Sequence, residues 1–144
     1  MLCSDHTTRK INFEDLKSLL LYRKIIKWDC NKIVLDNGVE IKIEETDHDC
    51  CAMAGGKFEN VTLDAAITKI EEIEYSPWED DDTYGCSARV VFLHNKNVVC
   101  AAEADADAGN GGYYYSVASF VVTVPQESET LVCHFVSETG EEGA

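Results

Sequence analysis

The sequence predicts an α+β domain: mainly an antiparallel β-sheet, with one N-terminal helix and one short central helix. Three observations carry this. Several short segments alternate apolar and polar residues with a period of two. Turn signatures, Asp-Asn-Gly at residues 36–38 and Gly-Asn-Gly-Gly at 109–112, separate some of them. One stretch near the N-terminus has helical spacing behind a capping residue instead.

That helix comes first. Asn12 suits the N-cap, Glu14 and Asp15 face the positive end of the helix dipole, and Ile11 with Leu16 forms a hydrophobic staple. Phe13, Leu16, Leu19 and Leu20 then make one apolar face. Residues 22–29 predict a strand. Ile33 and Leu35, then Val39, Ile41 and Ile43, alternate around the Asp-Asn-Gly turn and predict a hairpin. Residues 63–66, capped by Thr62, read as the short central helix. A strand of mixed pattern follows through Ile67, Ile70, Ile73 and Tyr75.

Residues 76–85 read as a loop, 86–94 as a strand, 95–97 as a turn and 98–108 as a strand. After the glycine-rich turn, residues 113–124 read as a long strand. Residues 130–137, beyond Pro125, read as a last strand at a sheet edge. Residues 1–136 form a single domain on this reading, and residues 137–144 form a disordered acidic tail.

A chain of 144 residues has room for one real core. The first ten residues lack the apolar run of a signal peptide, and no later run approaches the length of a membrane span. The expectation is a cytoplasmic protein. Its seven cysteines are an odd number, which argues against a disulfide framework in a reducing compartment. Cys86, Cys100 and Cys133 sit in strand-like surroundings and behave as small hydrophobes.

The net charge of -15 is unevenly spread: +3 over residues 1–35, -12 over 36–82 and -6 over 83–144. Direct nucleic-acid binding needs a basic footprint, which this balance disfavours. A basic protein surface is the more natural partner, or the acidity serves solubility alone. One strand sharpens this. In residues 101–109, Glu103, Asp105 and Asp107 share one parity and Ala102, Ala104, Ala106 and Ala108 the other. The acids therefore line one face and must meet water, a cation or a basic partner. The alanine face must be approached closely by something.

The expected binding surface joins Glu103, Asp105 and Asp107 with the loop residues Trp78, Asp80, Asp81 and Asp82 and with Tyr113, Tyr114 and Tyr115. As a strand, residues 113–115 send Tyr113 and Tyr115 to one face and Tyr114 to the other, so at least one ring is exposed. Exposed tyrosines suit protein or nucleotide recognition.

The segment Asp47-His48-Asp49-Cys50-Cys51 raises zinc, since His48, Cys50 and Cys51 are competent ligands. Adjacent cysteines rarely both reach one ion, and the reading preferred is a structural turn with at least one of the two thiols buried. A cysteine nucleophile lacks any local signature. Asp105 and Asp107 start like a calcium loop, but Gly109 and Ser116 stand where further oxygen ligands belong. Phosphate-binding, dinucleotide, zinc-protease and serine-hydrolase motifs are absent from the sequence. The balance leans away from an enzyme, with no cofactor expected.

The Asp-Cys-Cys segment within residues 47–56 and the Gly-Asn-Gly-Gly-Tyr-Tyr-Tyr-Ser stretch at 109–116 resemble an uncharacterised family of small bacteriophage and prophage proteins. The resemblance spans about residues 30–124. It implies a phage accessory protein acting in the bacterial host cytoplasm. The leading expectation is a non-enzymatic binding module that inhibits or sequesters a host protein or small nucleotide, with homo-oligomerisation allowed. The alternatives are a virion accessory or decoration protein, and a zinc-dependent protein centred on residues 47–51.

Overall fold

A computed structural model describes residues 7–49, 51–125, 127 and 129–138. Its elements are β1 (Thr7–Ile11), α1 (Phe13–Leu20), β2 (Ile25–Asp29), β3 (Lys32–Leu35), β4 (Glu40–His48), β5 (Ala54–Glu59), β6 (Lys69–Ile70), β7 (Glu74–Glu79), β8 (Tyr84–His94), β9 (Asn97–Asp107), β10 (Ser116–Thr123) and β11 (Glu129–Glu138). A 3-10 turn lies at Asn110–Gly112.

The strands form two sheets. Sheet 1 runs in the order β1-β11-β10-β4-β3-β2, and sheet 2 in the order β5-β9-β8-β6, with β7 also paired to β8. Every pairing is antiparallel except β1 with β11. The sheets pack face to face, β4, β10 and β11 lying against β5, β8 and β9. Alternation explains the core. Ile41, Ile43, Ala118, Phe120, Val122, Cys133 and Phe135 point inward from sheet 1. Phe58, Val90, Phe92, Cys100, Ala102, Ala104 and Ala106 meet them from sheet 2. Phe120 and Phe135 stack with ring centroids 4.4 Å apart.

The opposite sheet is what approaches the alanine face. At Gly56, on β5, a Cβ would lie 2.5 Å from the Ile43 methyl of sheet 1 and 2.9 Å from Ala104. Small residues at 56, 102, 104 and 106 thus let the two backbones come close.

The predicted helix and its cap are present. The Asn12 carboxamide accepts the Asp15 N–H at 2.8 Å, and the Asp15 carboxylate accepts the Asn12 N–H at 3.3 Å. The predicted hairpins β3–β4 and β8–β9 also form.

Five expectations are corrected. Residues 63–66 form a turn at Leu63–Asp64 rather than a helix, because backbone partners lie across the chain: Thr62 N–H donates to Val99 O and Asp64 N–H to Ile25 O. Of the expected loop at 76–85, residues 76–79, including Trp78, belong to strand β7, and Tyr84 and Gly85 begin β8. The tyrosines precede β10, which begins at Ser116, so strand alternation does not orient them. The last strand is internal, because β1 covers its outer edge. Ser137 and Glu138 belong to β11, while residues 139–144 of the expected tail lie outside the described residues. No helix is long and apolar enough to cross a membrane among the described residues.

Candidate functional site

Three loops meet at one end of the sandwich: those joining β4 to β5, β7 to β8, and β9 to β10. Backbone hydrogen bonds tie them together. Gly111 N–H donates to Asp82 O at 2.7 Å, Asp49 N–H to Tyr115 O at 2.8 Å, and Asp107 N–H to Met53 O at 3.0 Å. The fully buried Ser116 hydroxyl lies 2.7 Å from Asp107 O and 3.0 Å from Met53 O, and donates to one at a time.

Local rules explain why these sequences turn here. The Asp80 carboxylate accepts the N–H groups of Asp82 and Thr83, both at 2.9 Å, closing the β7–β8 turn on itself. The Asp107 carboxylate accepts the N–H groups of Met53 and Gly109. Gly109 has φ +71°, and a Cβ there would meet the Cys51 carbonyl and the Tyr114 ring, each at 2.8 Å. Only glycine lets these two loops touch.

The end is acidic and aromatic. Asp47, Asp49, Asp80, Asp81 and Asp82 are exposed there, and Asp107 is half-buried. Tyr113 is 61% exposed, Tyr114 is half-buried against Gly109, and Tyr115 is exposed. The Tyr115 hydroxyl donates to the Asp47 carboxylate at 3.1 Å, and this bond, with the charge of Asp47 itself, raises the phenol pKa. No Lys or Arg occurs in the sequence of the three loops and their flanks, residues 47–56, 79–85 and 107–116.

The expected binding surface is therefore divided. Asp80, Asp81, Asp82, Asp107 and the three tyrosines converge, and Asp47, Asp49 and the exposed Met53 join them. Glu103 and Asp105 lie on the outer face of sheet 2. There Glu103 pairs with Arg89 at 3.0 Å and Asp105 accepts the Ser87 hydroxyl. Trp78 lies across Gly85 on the β7–β8 hairpin. The convergence of Asp47 and Asp49 with the tyrosines escaped sequence reasoning; the charge density of both segments was visible, their contact was not.

The Asp-Cys-Cys segment also needs revision. Cys51 is exposed, with φ +75°, because its carbonyl turns toward Gly109 and its side chain outward. Cys50 lies outside the described residues, so the expectation of a buried thiol here rests on it alone. His48 is exposed and its Nδ1 sits 3.0 Å from the Glu45 carboxylate. Among the described residues, no group of three or more His, Cys, Asp or Glu is placed to hold a metal ion. By contrast, burial raises the Cys100 thiol to about 12 and the Cys133 thiol to about 11, as small core hydrophobes. Cys86 is half-buried and its pKa is also raised, chiefly by burial.

A family model described as Domain of unknown function (DUF7448) matches residues 18–121. The match runs from the last turn of α1 into β10 and takes in all three loops of the acidic end. No curated protein and no solved structure matches the chain.

Proposed function

The chain belongs to the DUF7448 family, and we propose that it is a non-enzymatic binding module that takes up a basic protein surface at its acidic, tyrosine-bearing end. One observation carries this reading. The fold gathers three loops that contain no Lys or Arg, and it fixes them to one another through their backbones. Such an end attracts cationic partners over roughly a Debye length, about 8 Å at physiological salt. It then offers Tyr113 and Tyr115 as amphipathic contact area, with carboxylates held ready for Lys or Arg. Little ordering of the loops remains to be done on binding.

The target on this reading is a host component, met in the bacterial cytoplasm by a phage-encoded accessory protein. That setting comes from the resemblance of residues 47–56 and 109–116 to phage proteins.

The test compares wild-type protein with the Asp80→Asn/Asp81→Asn/Asp82→Asn/Tyr113→Ala variant, each immobilised and challenged with bacterial lysate. The expected result is a saturable, salt-sensitive basic protein retained by the wild type and lost by the variant. Equal retention by both would remove the acidic end as the binding surface.

A further inference from the structure

We propose that the outer face of sheet 1 is a self-complementary surface on which a second copy of this chain docks face to face. The proposal does not rest on the acidic end, with which this face shares only the border residue Asp47.

The register of sheet 1 places its outward side chains in rows. One row reads Lys10, Val132, Val121 and Lys42 across β1, β11, β10 and β4. The next reads His134, Ser119 and Glu44. The strands are thus apolar on both faces at β10 and β11: Phe120, Val122, Cys133 and Phe135 face the core, while Val117, Val121 and Val132 face outward and are only half-buried. The three valines, with Lys10, Glu44 and His134, line an open groove of about 720 Å³. A strand that is apolar on both sides is the pattern of a sheet covered on both sides. Among the described residues, sheet 1 is covered on one.

Charge decides what covers the other. Lys10, Lys42 and Glu44 have no opposite charge within ion-pair distance among the described residues. A ligand of one sign would leave one of these groups unmatched. A second copy supplies both signs and answers Lys42 and Glu44, while Lys10, on the edge strand β1, lies outside the match. Rotation by 180° about an axis in the face and across the strands lays β4 antiparallel over its counterpart, and sets Lys42 of each copy opposite Glu44 of the other. Glu40 comes with its own cation, Lys32, at 3.5 Å. An isologous contact requires this kind of pairing, in which each patch contains both halves of the match.

The area suffices. Six strands spaced about 4.8 Å apart, with central strands of about 25 Å, present roughly 700 Å² in projection, close to the ~800 Å² per partner of a standard interface. Stacking of twisted sheets at a small angle is a common way to bury such a face. The net charge of -15 per chain opposes association only weakly, because charges beyond about 8 Å are screened at physiological salt.

The experiment is sedimentation equilibrium on the full chain, over a concentration series up to about 0.5 mM, the upper end of ordinary affinity ranges. The wild type is expected to dimerise, and Val121→Asp to be monomeric with an unchanged thermal transition. Lys42→Glu and Glu44→Lys should each weaken the dimer about tenfold or more, since like charges then face each other. The double variant Lys42→Glu/Glu44→Lys should recover most of that loss, which keeps the test decisive if Val121→Asp fails to fold. A wild type that stays monomeric throughout overturns the proposal. So does a dimer indifferent to the single charge reversals, or a double variant no better than the singles.

Discussion

The outer faces of the two sheets treat charge in opposite ways. On sheet 2, Arg89 of β8 reaches Glu103 at 3.0 Å and Glu59 at 4.0 Å, Lys57 reaches Glu59 at 3.4 Å, and Ser87 donates to Asp105. These charges are answered within the sheet, by residues on the same or a nearby strand. On sheet 1, Lys10, Lys42 and Glu44 stand unanswered around half-buried valines. A charge matched inside the sheet helps to hold neighbouring strands and offers little to a partner. An unmatched charge beside apolar area does the reverse: it adds almost nothing to folding and is available for recognition. The fold divides the acidic stripe on β9: Glu103 meets Arg89, Asp105 accepts a hydroxyl, and Asp107 turns to the acidic end.

The comparison assumes that both faces stand on one core, and the largest expected effect tests that. Phe120 is fully buried, stacked on Phe135 and opposed by sheet 2. Phe120→Ala should cost about 3–5 kcal/mol of unfolding free energy, read from urea denaturation. A loss below about 1 kcal/mol would mean that the sheets hold together without this layer.

Next comes alkaline stability, which should treat the two sheets alike. Cys100 points inward from sheet 2 and Cys133 from sheet 1, and burial raises both thiols above the ordinary value of 9.0, to about 12 and about 11. Both stay protonated in the folded chain while the unfolded chain ionises. The unfolded state then binds fewer protons, so stability is fully present below pH 9 and falls as pH rises toward 11 and 12. Unfolding free energy measured from pH 8 to 11 should show this decline, and Cys100→Ala/Cys133→Ala should flatten it. An unchanged slope in the double variant would assign the loss to other groups.

Charge reversals then separate the faces directly. Arg89→Glu should cost about 1 kcal/mol or more, because it turns an answered carboxylate pair into a like-charge cluster. Lys42→Glu should change monomer stability by less than about 0.5 kcal/mol. Thermal unfolding at dilute concentration reads both. Equal effects would erase the distinction drawn between the faces.

How much of this was legible in the sequence differs element by element. The Asn12 cap and the Asp-Asn-Gly hairpin depend on residues within a few positions of one another, and both form as the sequence predicts. Strand β1 pairs in parallel with a strand more than a hundred residues away, and Thr7–Ile11 has no alternation to announce it. Missing β1 made β11 look like an edge. Residues 63–66 carry a helical cap signal that lost to hydrogen bonds from β2 and β9, a tertiary preference no local pattern holds. The acidic end follows the same division: its composition was visible, while the meeting of residues 47–49 with 113–115 depends on β4 and β10 being neighbours. A signal for the outer face of sheet 1 did exist. Val117, Ala118, Phe120, Val121 and Val122 put apolar residues at both parities of one strand, which already implies cover on both sides.

The smallest effect concerns the residue that belongs to both regions. Asp47 lies in the row above Ser119 and Glu44 on sheet 1, and it also reaches the acidic end by accepting the Tyr115 hydroxyl. That bond exists only while the phenol keeps its proton. Ionising Tyr115 would break it and set two negative charges side by side, with Asp49 adding to the repulsion, which is why the phenol pKa is raised. Asp47→Asn keeps the shape and removes the charge. Tyr115 should then titrate closer to the ordinary value of 10.0, seen as an earlier rise in ultraviolet phenolate absorbance, with Tyr115→Phe identifying the group. Thermal stability should hardly move, since the bond is exposed to solvent. An unshifted titration would show that Asp47 leaves Tyr115 free, and would return this carboxylate to the unanswered charges of sheet 1.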